Sequence, residues 1–397
     1  MELQEAVIVG GARTPVGRFG GAFKDVSAPD LGATAIRAAL ERAGITADMV
    51  DEVVLGNALQ ATEAGYAARL ASLRAGVPEE VPTIAINRQC SSGLEAINMA
   101  AQLVRTGEVD IVVAGGIENM SQSPFMLGYQ ARFDGLRMGD ASLVDGLTDG
   151  LGCPVNRYHM GVTAENVAER FGVSREDQDE LALISHTRAA AAVASGRFKG
   201  QITSVEVPQR RADPIIADTD EGPRADTTLE RLGQLRPVFK KDGTVTAGNA
   251  SSINDAAAAV VLMSAAKAAE LGVQGKLRWH TRGVAGVEPA IMGTGPIPAV
   301  RKALGKAGME LDDIDLIELN EAFASQALYC MRELDMDIDK TNVNGSGISL
   351  GHPVGATGAI MTVKLLEELE LRDETLGLVT MCVGGGQGVA TIFERIG

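Results

Sequence analysis

The sequence predicts an α/β protein built from two copies of one unit, with a loop domain inserted between them. Three observations predict it. The chain repeats itself: Ala35-Ile-Arg-Ala-Ala-Leu-Glu-Arg-Ala-Gly44 matches Ala299-Val-Arg-Lys-Ala-Leu-Gly-Lys-Ala-Gly308 without a gap, and Asp48, Asp51, Leu55 and Ala58 fall opposite Asp312, Asp315, Leu319 and Ala322. Each copy alternates helical apolar spacing with short apolar runs of strand length, the pattern of α/β units. Between the copies the texture changes, with Gly, Asp and Met and weak periodicity from Ser121 to Gly152, then a charged, turn-rich stretch from Gln209 to Pro237. The expected organisation is residues 1–120 with 251–272 as the first unit, 121–250 as the insertion, and 273–397 as the second unit.

The elements follow in order. An amphipathic helix over Ala35–Gly44 leads to the strand Glu52-Val-Val-Leu-Gly56, which carries no nucleotide-binding fingerprint. The run Thr83-Ile-Ala-Ile-Asn-Arg-Gln-Cys-Ser-Ser-Gly93 reads as a strand that stops at Cys90, and Leu94, Ile97, Ala101 and Val104 then have helical spacing. A strand follows at Val109–Gly116. In the insertion a helical patch is expected from about Thr163 to Ala194. The second unit repeats the order: helix, acidic-apolar strand Ile314–Leu319, a Gly-wrapped turn at Asn342–Gly358, a helix, and the strand Leu376–Met381.

Reactive side chains stand where those strands end. Cys90 precedes a helix, where free N–H groups favour a thiolate; the bland alternative is a buried structural cysteine. His352 sits at the matching turn of the second unit, ahead of Pro353, which suits a first helical turn. Cys382 opens Cys382-Val-Gly-Gly-Gly-Gln-Gly388. No Lys-Ser/Thr follows these glycines, so they suit close backbone approach and N–H donation rather than a phosphate loop. Asn320-Glu-Ala-Phe323 ends the acidic strand. Two homologous units would bring such residues face to face at a pseudo-dyad.

Together these segments resemble the thiolases, along the whole chain. The resemblance rests on Asn87-Arg-Gln-Cys-Ser-Ser-Gly93, Asn320–Phe323, Gly351-His-Pro-Val-Gly-Ala-Thr-Gly358 and Cys382–Gly388, with Tyr158–Asn166 and Thr246–Ser251 similar to the coenzyme A region. Ser346-Gly347 and Ser252 depart from the usual pattern. The resemblance implies a thiolase fold with a five-layered α-β-α-β-α core. It implies ping-pong acyl transfer, joining two acetyl-CoA into acetoacetyl-CoA and CoA by Claisen condensation, or the reverse. Cys90 would carry the acyl group and His352 would take its proton. Cys382 would act on the second substrate, its ordinary pKa of about 8.5 lying within reach of neutral pH. One oxyanion pocket would use His352 and a water on Asn320, the other the N–H groups of Cys90 and Gly384. Coenzyme A contacts would come from Arg224, Arg231, Ser251 and His159. Met160, Met292 and Phe323 would wall off a short acyl pocket, unless the methionines only pack the core.

Alternatives stay open at this stage: a broader 3-ketoacyl-CoA thiolase, a ketoacyl-synthase-like condensing enzyme that Cys382 disfavours, or a binding protein of this fold. Arg224 and Arg231 could equally be solvated loop arginines, and Ser251 a helix N-cap for Ile253 onward. His186 and His280 are read as structural.

Composition narrows the classes. Across 397 residues, 45% hydrophobic with 47 Gly and 4% aromatics, a core of small aliphatic side chains is expected. A net charge of -16 argues against nucleic acid and anionic membranes as partners. No apolar run is long enough to span a bilayer, and neither end resembles a targeting signal, so the cytoplasm is expected. Four cysteines without metal or disulfide spacing predict neither a metal nor a disulfide framework. No tightly bound cofactor is expected, and the resemblance implies a homotetramer, a dimer of dimers, in lipid metabolism.

Overall fold

A computed structural model describes residues 3–60 and 65–397. The first unit runs β1 (Ala6–Arg13), α1 (Ala28–Ala43), β2 (Glu52–Gly56), α2 (Ala67–Arg74), β3 (Thr83–Ile86), α3 (Ser92–Thr106) and β4 (Ile111–Asn119). The insertion holds two helices, α4 (Met160–Phe171) and α5 (Arg175–Ala194), besides short hairpins. Strand β5 (Asn254–Ser264) then returns to the first unit. The second unit runs β6 (Leu277–Gly286), α6 (Pro296–Ala307), β7 (Leu316–Leu319), α7 (Ala324–Leu334), α8 (Thr357–Arg372), β8 (Leu376–Val383) and β9 (Gln387–Arg395).

The strands form one path in the order β7-β8-β9-β6-β1-β5-β4-β2-β3. Its two halves meet at a short β1–β6 pairing, Val7 opposite Arg278 and Ile8 opposite Leu277. Helices α1 and α2 cover the outer face of the first half, where Leu31, Ile36, Val53 and Val113 pack together. Helices α3 and α8 lie against each other between the halves, with Leu94, Ile97, Ile360 and Leu365 in one core. Helices α6 and α7 cover the second half. These are the five layers the resemblance implied.

The repeat extends to capping and turns. Both α1 and α6 end on a left-handed glycine, Gly44 (φ 67) and Gly308 (φ 69), a conformation that a side chain would strain. Asp51 Oδ2 accepts the N–H groups of Asp110 and Ile111 at 2.9 and 2.8 Å; Asp315 Oδ2 accepts those of Thr375 and Leu376 at 3.0 and 2.8 Å. Each aspartate thus fixes the start of the neighbouring strand. The counterpart of β3 in the second unit shrinks to one parallel bridge, Ile317 to Thr341.

Two local expectations differ from the structure. The helical patch of the insertion is two helices, broken at Gly172 (φ 66) and restarted by Ser174, whose side chain accepts from Asp177 N. Ser251 does not cap a helix: the chain after Ile253 is the strand β5, buried along its whole length between β1 and β4. Its run of four alanines has helical propensity, and burial on both faces overrides it. Helices α3 and α8, expected from their apolar spacing, are buried on most faces because they lie between the two halves of the sheet. Among the described residues no helix is long and apolar enough to cross a membrane.

Candidate active site

Cys90 stands one residue beyond a strained position. Gln89 has φ 45, which is uncommon outside glycine. Short bonds hold it there: Asn87 Oδ1 accepts Gln89 N at 2.9 Å, and Gln89 O accepts the Ser92 hydroxyl at 2.7 Å. The turn aims Cys90 into a cavity of ≈ 540 Å³, also lined by His352, Gly384, His159, Met160, Met292, Phe323, Ser251 and Arg224. Residues from both units and from the insertion therefore meet in one place.

The backbone N–H groups of Gly384 and of Cys90 itself act to lower the Cys90 thiol, yet burial outweighs them and pushes it up to about 11. This corrects the expectation of a preformed thiolate. The turn does supply N–H groups, but desolvation of the anion is the larger effect here.

His352 Nδ1 lies 2.6 Å from Thr357 Oγ1, and that hydroxyl donates its single proton to Pro353 O at 2.9 Å. With that proton on Pro353 O, the threonine oxygen accepts from Nδ1–H. That assignment leaves Nε2 with its lone pair, buried and without a protein partner among the described residues. Burial also lowers the ring's pKa to about 4, so the imidazole is neutral through the ordinary pH range. Asn254 Oδ1 holds the His352 backbone N–H at 2.9 Å. Asn320 is fully buried, and neither atom of its amide has a protein partner among the described residues.

Cys382 is fully buried in an apolar cluster with Met292, Phe323, Met160 and Phe239. Desolvation raises its pKa well above the thiol norm, with a further rise from facing Cys90. In this state it too is a thiol, above the ordinary value expected for it. Gly385 and Gly386 beyond it take φ 86 and 89, which turns the chain so that Gly384 N–H meets Cys90.

The other expected contacts divide. His159 stacks on Phe239, centroids 4.8 Å apart, and its Nδ1 accepts from Gly161 N. Arg224 lines the mouth of the cavity, whereas Arg231 does not line it: on the short helix Leu229–Gly233 its guanidinium pairs with Asp226. His186, read as structural, lines the cavity, and its Nδ1 accepts Arg224 N at 3.2 Å. His280 lies on β6, outside the lining. Arg18, Phe19, Phe239 and Thr357 escaped the sequence reading. Only Thr357 lay inside a quoted motif, and nothing in the sequence distinguished its hydroxyl from any helix-start threonine.

Both halves of the chain match known domains: residues 6–266 match "Thiolase, N-terminal domain" and residues 273–395 match "Thiolase, C-terminal domain". The chain belongs to the thiolase family. Among its relatives is an acetyl-CoA acetyltransferase of Pseudomonas aeruginosa, 52% identical over 394 residues, covering 99% of this chain and 100% of that one. The crystal structure of the Bacillus anthracis acetyl-CoA acetyltransferase superposes with a TM-score of 0.97 at 46% identity, covering 100% of both chains. Human mitochondrial 3-ketoacyl-CoA thiolase in complex with CoA superposes at 0.95 and 42% identity, again over 100% of both.

Proposed function

We propose that this thiolase is an acetyl-CoA C-acetyltransferase, joining two acetyl-CoA into acetoacetyl-CoA and CoA or running the reverse cleavage. One observation carries the reading: a cysteine beside the backbone N–H of Gly384 shares a cavity with a neutral histidine whose Nε2 has no protein partner among the described residues. In the first half-reaction the Cys90 sulfur attacks the thioester carbonyl while His352 Nε2 takes the thiol proton. The carbon–sulfur bond to coenzyme A then breaks, and the Cys382 thiol gives its proton to the leaving CoA sulfur, becoming a thiolate. In the second, the Cys382 thiolate takes a proton from the methyl of another acetyl-CoA. The carbanion attacks the acetyl-Cys90 carbonyl, a carbon–carbon bond forms, the carbon–sulfur bond to Cys90 breaks, and the Cys90 sulfur regains its proton from His352. The N–H groups of Cys90 and Gly384 serve one thioester oxygen; His352 and a water on Asn320 serve the other. Charge develops on those oxygens only along the reaction, so fixed donors act mainly on the transition state.

The deciding assay is cleavage of acetoacetyl-CoA by free CoA, with parallel reciprocal plots; intersecting plots away from substrate inhibition would remove the acyl-enzyme route. Chain length tests the substrate range. Met160, Met292 and Phe323 close the acyl end, and each added methylene would need room for about 0.8 kcal/mol of burial. kcat/KM is therefore expected to fall from four to ten carbons. A rise would favour the second reading, a broad 3-ketoacyl-CoA thiolase, which the pliable methionine wall also supports.

Arg18 and Arg224 at the mouth suit the phosphates of coenzyme A; neither is held in an ion pair among the described residues. Replacing either with alanine is expected to raise KM for CoA roughly tenfold, the size of one charge-assisted hydrogen bond, with kcat within about twofold. An unchanged KM would move the phosphates elsewhere. The proposal includes a cytoplasmic homotetramer in lipid metabolism. The hairpin side chains Phe125, Met126, Leu127, Leu143 and Val144, apolar and exposed, support assembly.

A further inference from the structure

The loops carrying Cys90 and His352 come from different units, so something must hold them in register. Glu118, near the end of β4, is fully buried and accepts four N–H donors. Oε1 takes Asn57 Nδ2 at 2.8 Å and Leu59 N at 3.2 Å; Oε2 takes Ala58 N at 3.1 Å and Gly355 N at 2.7 Å. Gly355 lies three residues past His352. Ala58, in turn, accepts Asn87 Nδ2 at 2.9 Å through its carbonyl, and Asn87 fixes the backbone of Gln89. An unbroken chain of bonds thus runs from the nucleophile turn through residues 57–59 and Glu118 to the histidine loop.

We infer that Glu118 is a positioning residue for the thiolase reaction, a carboxylate clamp that sets the spacing between Cys90 and His352. Only a carboxylate can accept all four donors. A glutamine would direct its own NH₂ at one of them, leaving a buried clash and an orphaned N–H. The joint is also tight. A Cβ at Gly355 would lie 2.7 Å from Glu118 Oε2 and 2.9 Å from Ala58 N, so the loop has no slack to take up a change. Burial pushes the carboxyl up to about 7 against the pull of those donors, the cost of using a charge as a clamp. Its ionisable neighbours Asp255 and Cys90 contribute no positive charge to offset it.

The inference rests on the acyl-transfer reading above, and one assay separates the two. Wild-type protein is measured for acetoacetyl-CoA cleavage alongside Glu118→Gln and Glu118→Asp. Misplacing reacting groups by about 1 Å costs up to ~10²-fold, so kcat of Glu118→Gln should fall tenfold to ~10²-fold while KM for both substrates stays within about threefold. Glu118→Asp keeps the charge but shortens the reach to Gly355; its kcat should lie between the two. If Glu118→Gln does not fold, the aspartate variant carries the same kcat-against-KM criterion alone. A folded variant with wild-type kcat, or one whose KM rises as much as its kcat falls, overturns the clamp. Inactive wild-type protein would instead overturn the acyl-transfer reading.

Discussion

Cys90→Ser is expected to abolish the acetyl adduct on the peptide containing residue 90 and to lower acetoacetyl-CoA cleavage by at least ~10⁴-fold, as loss of a nucleophile does elsewhere. Serine keeps the shape and the two N–H donors, so any loss measures the sulfur itself. His352, with a pKa lowered to about 4, is too weak a base to generate an alkoxide at neutral pH. Mass spectrometry after incubation with acetyl-CoA reads the adduct directly. An acetyl group found on Cys382 instead would exchange the roles given to the two cysteines.

The same pair predicts a pH dependence whose sign is fixed by the two shifts. Cys90 is raised to about 11 and His352 lowered to about 4, so between those values the resting pair is thiol and neutral imidazole. Without substrate, alkylation of Cys90 by iodoacetamide should climb continuously from pH 6 to pH 10, because only the thiolate reacts. A plateau reached by pH 8 would mean a preformed thiolate–imidazolium pair. The proton is then taken by His352 only as the sulfur attacks, when bond formation removes the charge that burial penalises.

The fold was open to sequence reading because the duplication repeats its hydrogen-bonding devices as well as its apolar pattern. Asp51 and Asp315, aligned by the repeat, each fix the start of the next strand. The strand β5 was hidden for a physical reason: four consecutive alanines carry no period, and only the neighbouring strands β1 and β4 decide their conformation. At the site, motif residues at strand ends converge as the duplication implies, since equivalent turns face one another. Charge state was not legible. A turn before a helix predicts a thiolate until the depth of burial is known, and depth is a property of all layers at once. Arg18 and Phe239 reach the cavity from segments with no local signature. Arg224 and Arg231 looked alike in sequence, and the local pairing with Asp226 separates them. Glu118 reads as one polar residue in an apolar strand, and its four donors lie on distant loops.

Asn320→Leu should separate stability from activity. The Asn320 amide is buried with neither Oδ1 nor Nδ2 bonded to protein among the described residues. Both atoms are thus open to a water, as the oxyanion pocket requires. Leucine has nearly the same branching and cannot hold that water, while the backbone bond from Asn320 N to Thr380 O, 3.0 Å, is untouched. Gly347 leaves the space: a Cβ there would lie 2.7 Å from Asn320 Oδ1, and glycine has none. The variant is therefore expected to melt close to the wild-type temperature. Its kcat should nevertheless fall by ~10²–10³-fold, the usual result of removing one donor to a developing oxyanion. Acetylation of Cys90 and condensation should slow unequally, because the water on Asn320 serves only one of the two thioester oxygens. Thermal melts and single-turnover acetylation test both halves. A lowered Tm with proportionate loss of activity would make Asn320 a packing residue, and full activity would remove it from the oxyanion pocket.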